Sequence, residues 1–292
     1  MKSPVFATHA QPSYELWEAF GASVTGQGHL HQNQPGQDRY ATFQWIGKDS
    51  ASRLLVIGCA DGAGSAAKSW AGAWMGCRAV IQAIQERLQT SSGESSLIRS
   101  EGWTEAYINR LFDQSRRRIQ RWSSTLNATP ADLATTMNLA VIGHDFGCFA
   151  QVGDGLIGYQ LQASPNLWEL ANQPDQGEFA GETTFLTSPN WLDQMRIRMI
   201  REPLGRVFVS TDGLLPVILD QSSGQIHARF VNPLFAALAN PAMPCDLKKV
   251  SLGQFLQSDR IKSRCDDDLT LILANRSQVH VDAGTNGGYI IS

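Results

Sequence analysis

Three strand-like runs follow one another between residues 133 and 162, joined by turns too short to hold a helix. They are 133–143 (LATTMNLAVIG), 146–153 (FGCFAQVG) and 156–162 (LIGYQLQ). Parallel neighbours need a crossover of about a dozen residues or more, so the three runs are predicted to form an antiparallel meander. The pattern disfavours a doubly wound parallel sheet, in which strands and helices alternate regularly.

Two long segments with helical periodicity are inserted among the strands. Residues 65–89 contain no Pro and carry apolar side chains at helical spacing, and residues 103–126 repeat the pattern. The tryptophans on these two stripes are predicted to pack in the core: Trp70, Trp74, Trp103 and Trp122. The arginines at 116–118 are predicted to lie on a solvated helix surface. Helices that cover antiparallel sheets give an α+β fold.

The length and charge of the chain limit its organisation and its partners. No linker clearly divides the 292 residues, so we predict one domain over 1–292, with a core at about 18–275 and a polar tail at 276–292. The chain carries 24 Lys+Arg and 27 Asp+Glu, a formal net charge of −3. This balance disfavours a strongly basic nucleic-acid-binding protein, and no nucleic-acid partner is expected.

The cysteines and the apolar runs predict the compartment. The five cysteines are odd in number and scattered, and none forms a CxxC pair, which favours reduced thiols over a zinc ribbon or a dithiol redox site. The N-terminal residues lack the apolar region of a signal peptide, and no stretch approaches the roughly 18–20 apolar residues of a membrane span. We therefore expect a soluble, cytoplasmic monomer with no membrane partner.

Aspartates recur at the ends of the apolar runs. They are Asp61, Asp154 and Asp212, each followed by Gly, then Asp267 and Asp268 before the last run, and Asp38 before an early one. A single Asp-Gly is an ordinary turn signal, but several at the ends of central strands can meet at one edge of a sheet. Clustered carboxylates repel one another unless a cation compensates, and an all-oxygen, His-poor set suits Mg²⁺ or Mn²⁺.

Such a centre suits phosphate ester hydrolysis. Two divalent ions bridged by an Asp carboxylate and a water can generate hydroxide near neutral pH and hold a phosphoryl oxygen for in-line attack. The sequence contains no P-loop, strand-linked GxGxxG or GxSxG elbow. The phosphate is therefore predicted to be held by metal.

Six segments in this order carry a resemblance to a known family. They are 37–40 (QDRY), 60–65 (ADGAGS), 134–142 (ATTMNLAVI), 152–155 (VGDG), 210–215 (STDGLL) and 267–273 (DDLTLIL). Together they resemble the metal-dependent type 2C protein phosphatases, the PPM family. Residues 28–38 and 177–186 are most similar to a bacterial branch of it, and the resemblance covers about residues 20–274.

The resemblance implies an α-β-β-α layered sandwich of two antiparallel sheets flanked by helices, with the metal centre at one end. It implies a bacterial signalling enzyme that hydrolyses phosphoserine and phosphothreonine by attack of a hydroxide bridging two Mn²⁺ or Mg²⁺ ions. The implied partners are a phosphorylated protein substrate and an opposing Ser/Thr kinase.

The family's metal ligands can be carried over to this chain. By this resemblance Asp61 would bridge the two core ions, and the carbonyl of Gly62 would bind one of them. Asp212 and Asp267 would complete the other core site. Asp154 matches the position associated with a third, more weakly held ion.

Other matched positions include departures from the family pattern. Asp38 matches an acidic residue that binds or supports the metals, and Asp268 is assigned a supporting role beside them. Many members have Glu where this chain has Gln37, an amide that can accept from a metal-bound water but adds no charge. Ala63 stands where many eukaryotic members have a His, and Asn33 lies near the place of a phosphate-binding Arg.

His29 is the candidate to replace these missing groups. The bacterial-branch resemblance suggests that it binds phosphate or protonates the leaving group, although a His in a polar loop is often only structural. His31 is a poorer candidate. The 177–186 segment is a candidate flap over the site, and Trp191 either contacts the substrate there or simply packs.

Two other functions stay open from the sequence. The missing Glu, Arg and His motivate a pseudophosphatase that acts as a regulatory binding module. The retained aspartates disfavour it, since binding alone gives them no obvious role. The second alternative is a phosphoesterase for nucleotides or other small phosphates.

Overall fold

The computed structural model describes residues 13–47, 52–173, 183–220, 222–240, 242–280 and 290–291. The strands are β1 (Ser13–Val24), β2 (Arg39–Ile46), β3 (Arg53–Ala60), β4 (Met137–Ile142), β5 (Gly147–Val152), β6 (Leu156–Leu161), β7 (Glu169–Leu170), β8 (Arg196–Ile200), β9 (Leu204–Ser210), β10 (Leu219–Asp220), β11 (Gln225–Ile226), β12 (Leu269–His280) and β13 (Ile290–Ile291). The helices are α1 (Gln27–His31), α2 (Ser69–Leu88), α3 (Ser91–Leu97), α4 (Glu105–Thr125), α5 (Leu215–Ile218), α6 (Ala228–Leu238), α7 (Cys245–Leu256) and α8 (Asp259–Lys262).

Two antiparallel sheets form the centre of the fold. One has the strand order β1-β12-β9-β6-β7 and the other β13-β2-β3-β4-β5-β8. Helices α2 and α4 cover the outer face of the six-stranded sheet, and α6 and α7 cover the five-stranded one. The predicted α+β sandwich with flanking helices is confirmed.

The apolar runs of the sequence are continuous because the strands are buried on both faces. In β3, Leu54 and Val56 pack under the helices, whereas Leu55, Ile57 and Cys59 point towards the other sheet. The inter-sheet core also contains residues from β9 and β12. A strand between two such cores has no polar face, so it lacks the polar–apolar alternation of a half-exposed strand.

The predicted three-stranded meander is wrong in its last strand. β4 pairs with β5, but β6 lies in the other sheet, where it pairs with β7 and β9. The chain changes sheet at Gly153, whose φ of +108° is a conformation that L side chains rarely adopt. Asp154 therefore lies at the crossing between the sheets, and the three-residue connection 153–155 shows that a short turn does not guarantee that the strands it joins are paired.

The tryptophan prediction is partly wrong as well. Trp103 is buried, and its indole N–H donates to the Leu97 carbonyl at 2.8 Å. Trp70 and Trp74 are 39% and 38% exposed, and Trp122 is half-buried. The apolar stripe of α2 is wider than the surface that the sheet and α4 cover, so its edge stays in solvent.

The first and last long strands pair along their whole length. β1 and β12 are in register from Ser13 opposite His280 to Val24 opposite Leu269. Both predicted core boundaries, at 18 and 275, fall inside these strands. In the described part of the chain no helix is both long and apolar enough to cross a membrane.

Candidate metal centre and active site

Asp61 and Gly62 follow β3 in a turn that is fixed against the start of β4. The Asp61 N–H donates to Thr136 Oγ1 at 2.9 Å. The Asp61 carbonyl accepts from the Thr136 N–H and from Thr135 Oγ1, both at 2.8 Å. These hydrogen bonds fix the N–H and the carbonyl of Asp61 against β4. The half-buried Asp61 carboxylate lies at the end of the sheet and takes no part in them.

Asp38 precedes β2 and is only 1% exposed. One carboxylate oxygen accepts from Thr211 Oγ1 at 2.7 Å, whereas Oδ1 has no hydrogen-bond donor among the described residues. A buried carboxylate oxygen without a donor costs free energy, and a cation would satisfy it. Asp38 thus fits a metal site.

Asp212 follows β9 in a one-turn 3₁₀ helix, Asp212–Leu214. The next residue, Gly213, is buried against the start of β12, and a Cβ atom there would lie 2.1 Å from the Asp268 carbonyl oxygen. Only glycine permits this close approach of the two backbones. The approach brings the loop of Asp212 next to the loop of Asp267.

The carboxylates of five predicted ligands lie close enough to change one another's ionisation. Burial raises the pKa of Asp38 to about 7, with a contribution from the charge of Asp268. Burial, then the charges of Asp38, Asp212 and Asp267, raises the pKa of Asp61 well above its usual range. Burial, then the charges of Asp154, Asp267 and Asp38, raises the pKa of Asp212 to about 7. One end of the sandwich thus gathers carboxyl groups that oppose one another's ionisation in the absence of a cation.

Asp268 ties the loop before β2 to the start of β12. Its buried carboxylate accepts from the Gly26 N–H at 2.7 Å and also from the Gln37 N–H. It accepts from His29 Nδ1 at 2.9 Å. Gln37 therefore contributes its main-chain N–H here. The carboxylate has donors on both oxygens, so it suits an anchor better than a metal ligand.

His29 lies in α1 beside this anchor. Among the described residues, His29, Asp267 and Asp268 each offer a possible metal-ligating atom, and these three atoms lie within 4.8 Å of one another. His29 Nδ1 is already hydrogen-bonded to Asp268, which leaves Nε2 available. His29, Asp267 and Gly64 line a cleft of about 320 Å³. His31 and Asn33 are exposed.

The crossing turn carries Asp154 to the same end. Its Oδ2 accepts from Thr183 Oγ1 at 2.5 Å. Of the 177–186 segment, residues 177–182 lie outside the described part, and Leu186 N–H donates to the Thr135 carbonyl at 2.7 Å. Trp191 is buried and stacks on Phe112 with the ring centroids 6.5 Å apart, which favours packing over substrate contact.

The comparisons with known proteins identify the class. The sequence model of the protein phosphatase 2C family matches residues 25–251. Serine/threonine-protein phosphatase 3 of Escherichia coli (strain K12) is 26% identical over 260 residues, which is 88% of this chain and 98% of that protein.

Solved structures share the fold. A bacterial serine phosphatase has a TM-score of 0.58 at 13% identity, covering 89% of this chain and 98% of its own. The catalytic domain of the serine threonine protein phosphatase PstP, in complex with two manganese ions, has a TM-score of 0.54 at 14% identity, covering 90% of this chain and 99% of its own.

The chain belongs to the protein phosphatase 2C family. It is a metal-dependent serine/threonine protein phosphatase that uses Mn²⁺ or Mg²⁺, and its substrate is a phosphorylated protein. The predictions of family, enzyme class and cofactor are confirmed.

Sequence reasoning missed the threonines that support the aspartates. Thr211 holds Asp38, Thr183 holds Asp154, and Thr135 and Thr136 fix the turn at Asp61. Thr211 directly precedes Asp212, so its proximity to the site was available from the sequence. Its hydrogen-bond acceptor, Asp38, lies 173 residues away in the sequence and could not be predicted.

Proposed function

We propose that this phosphatase binds two core ions and a third, weaker one at the sheet end and there hydrolyses phosphoserine and phosphothreonine. The ligands would be Asp38, Asp61, the Gly62 carbonyl, Asp154, Asp212 and Asp267. The observation that carries this is the set of carboxylates gathered around the buried Asp38, one of whose oxygens has no donor in the described residues. The set consists of hard oxygen donors, which Mg²⁺ and Mn²⁺ prefer.

The bound ions supply Lewis acidity, which activates a water molecule and neutralises phosphate charge. The chain's own contribution beyond the ligands is the pair of His29 and Asp268. Asp268 is an acceptor when ionised, so His29 Nδ1 donates to it and the imidazole is held in one orientation. When the ring is the imidazolium, protonated on both nitrogens and paired with Asp268, its Nε2–H can give a proton to the leaving alkoxide of a serine or threonine, which leaves the neutral imidazole.

Activity on a phosphothreonine peptide tests the proposed function. We expect hydrolysis that requires Mn²⁺ or Mg²⁺, stops with EDTA and returns when excess metal is added. Calorimetric titration of the metal-free protein with Mn²⁺ should show uptake of at least two ions. Hydrolysis that survives complete chelation, or no metal uptake, would contradict the proposal. Faster turnover of free nucleotides than of phosphopeptides would favour the small-molecule alternative.

Replacing His29 by Gln is expected to lower kcat about 100-fold on a phosphoserine peptide, the size typical of a lost general acid. The loss on p-nitrophenyl phosphate should be small, because nitrophenolate leaves without a proton. The control is His31→Gln, an exposed histidine on the same short helix. An equal loss on both substrates would show that His29 acts in another way.

The pseudophosphatase alternative is less consistent with this site. A binding module would keep several wholly or partly buried carboxylates together without the cation that offsets their repulsion and desolvation. Such a cluster lowers the stability of the fold and gives no benefit unless metal binds.

The cellular setting is the remaining part of the proposal. We assign the enzyme to bacterial cytoplasmic signalling as a monomeric single domain, with a Ser/Thr kinase that phosphorylates the same substrate. The five cysteines are all free and four are buried, which supports a reducing compartment.

A further inference from the structure

A groove runs along α2 on the outer face of the six-stranded sheet. It consists of two depressions of about 370 and 450 Å³, which share Trp74, Arg78 and Gln82. The first depression lies between α2 and the start of β2, and the second lies between α2 and α4. We call both together the α2 groove.

Aromatic rings form part of the wall of the α2 groove. Trp74 and Trp122 stack with their ring centroids 5.2 Å apart, and the Arg78 guanidinium lies 5.4 Å from the centroid of the Trp74 ring. Trp74 nevertheless stays 38% exposed. Aromatic and Arg side chains together are typical of the energetically dominant parts of binding surfaces.

The charge of the α2 groove has one sign. Four arginines line it, Arg39, Arg78, Arg118 and Arg121, and the described lining residues include no Asp or Glu. Arg118 donates to Gln82 and lies 3.7 Å from Glu86 at the exposed rim. Among the described residues, Arg78 and Arg121 have no carboxylate within 4 Å. The groove is therefore complementary to an anionic partner.

One end of the α2 groove meets the main chain of the metal centre. Arg39 follows Asp38 directly, and its guanidinium donates to the carbonyls of Asp38 at 2.6 Å and Gly36 at 2.9 Å. Cys77 Sγ, on α2, lies 3.5 Å from the Arg39 carbonyl oxygen. A ligand in the groove would thus contact the segment that positions Asp38.

We propose that the α2 groove binds an acidic segment of the phosphoprotein substrate. Asp and Glu side chains of that segment pair with Arg78, Arg118 and Arg121, and its apolar atoms lie on Trp74 and Trp122. The inference rests on the proposed function, because the segment belongs to the same polypeptide as the phosphorylated residue. Selection among phosphoproteins then comes from this surface as well as from the metal centre.

The test separates docking from catalysis. Two fluorescent peptides of equal length, one rich in Glu and one with Gln in its place, both unphosphorylated, are titrated with the metal-free protein and binding is followed by anisotropy. We expect the acidic peptide to bind more tightly, and the double variant Arg78→Glu/Arg121→Glu to weaken it about tenfold or more. The matched control is Arg229→Glu/Arg260→Glu, two exposed arginines on α6 and α8.

A second measurement joins docking to turnover. With Mn²⁺, the kcat/KM of the groove variant on a phosphopeptide with an acidic flank should fall by the same factor as its peptide affinity, because KM rises while kcat is unchanged. Its rate on p-nitrophenyl phosphate should stay the same. Equal binding of both peptides, or equal loss in groove and control variants, would overturn the inference. Selective peptide binding without any phosphatase activity would overturn the proposed function and leave the groove intact.

Discussion

Replacing Asp212 by Asn is expected to lower kcat on a phosphopeptide by about 100- to 1000-fold, the scale of losing a group that stabilises developing charge. Asn keeps the size of the side chain but removes the negative charge that makes Asp212 a ligand for a divalent ion. The same change should make the metal-free protein more stable, because Asp212 is partly buried beside the charges of Asp154, Asp267 and Asp38. A loss of activity combined with a gain in stability is the signature of a functional site.

Steady-state kinetics with Mn²⁺ and urea denaturation with a chelator measure the two effects. The control is Asp193→Asn, an exposed aspartate that does not contribute to the raised pKa of Asp38, Asp61 or Asp212, and it should change neither. Full activity of Asp212→Asn would remove Asp212 from the catalytic centre. A metal-free variant less stable than the parent would show that the charge of Asp212 is compensated within the protein.

The free energy of unfolding of the metal-free protein should fall as the pH rises from about 4 to about 7. Burial raises the pKa of Asp38 to about 7 from an unfolded value of 3.8. The folded chain therefore binds more protons than the unfolded chain in this range. The stabilisation that Asp38 contributes is fully present below the unfolded pKa and is lost as the pH rises through the folded pKa. Burial raises the pKa of Asp61 and Asp212 too, so these groups contribute to the loss in the same direction.

Urea denaturation at a series of pH values checks this, with and without Mn²⁺. The metal needs ionised carboxylates, so its stabilising effect should grow over the same range. Asp38→Asn should make the dependence without metal less steep without abolishing it, because burial also raises the pKa of Asp61 and Asp212. Metal-free stability that rises between pH 5 and 8 in the parent, with no difference in Asp38→Asn, would contradict the prediction.

The long helices and the aspartate loops could be predicted because their signals are local. The periodic segments 65–89 and 103–126 correspond to α2 and α4, and each Asp-Gly stands at the end of an apolar run. The α+β class followed from the absence of regular strand–helix alternation.

Features that depend on distant residues could not be predicted. The change of sheet before β6 depends on which strand pairs with it, and β9 lies more than 40 residues further along the chain. The donors on Asp268 come from Gly26, His29 and Gln37, more than 230 residues away. Whether Trp74 is covered depends on the width of the surface beneath α2, which helical periodicity does not encode.

The pairing of β1 with β12 has a consequence for how the enzyme is made. Among the described strands, β12 is the only partner of β1, so the first long strand to leave the ribosome waits for one synthesised about 245 residues later. The loop with Asp267 and Asp268 directly precedes β12, so it joins the folded domain only when β12 pairs with β1. A nascent chain therefore cannot assemble the full set of aspartates, and dephosphorylation begins only after nearly the whole domain has been translated.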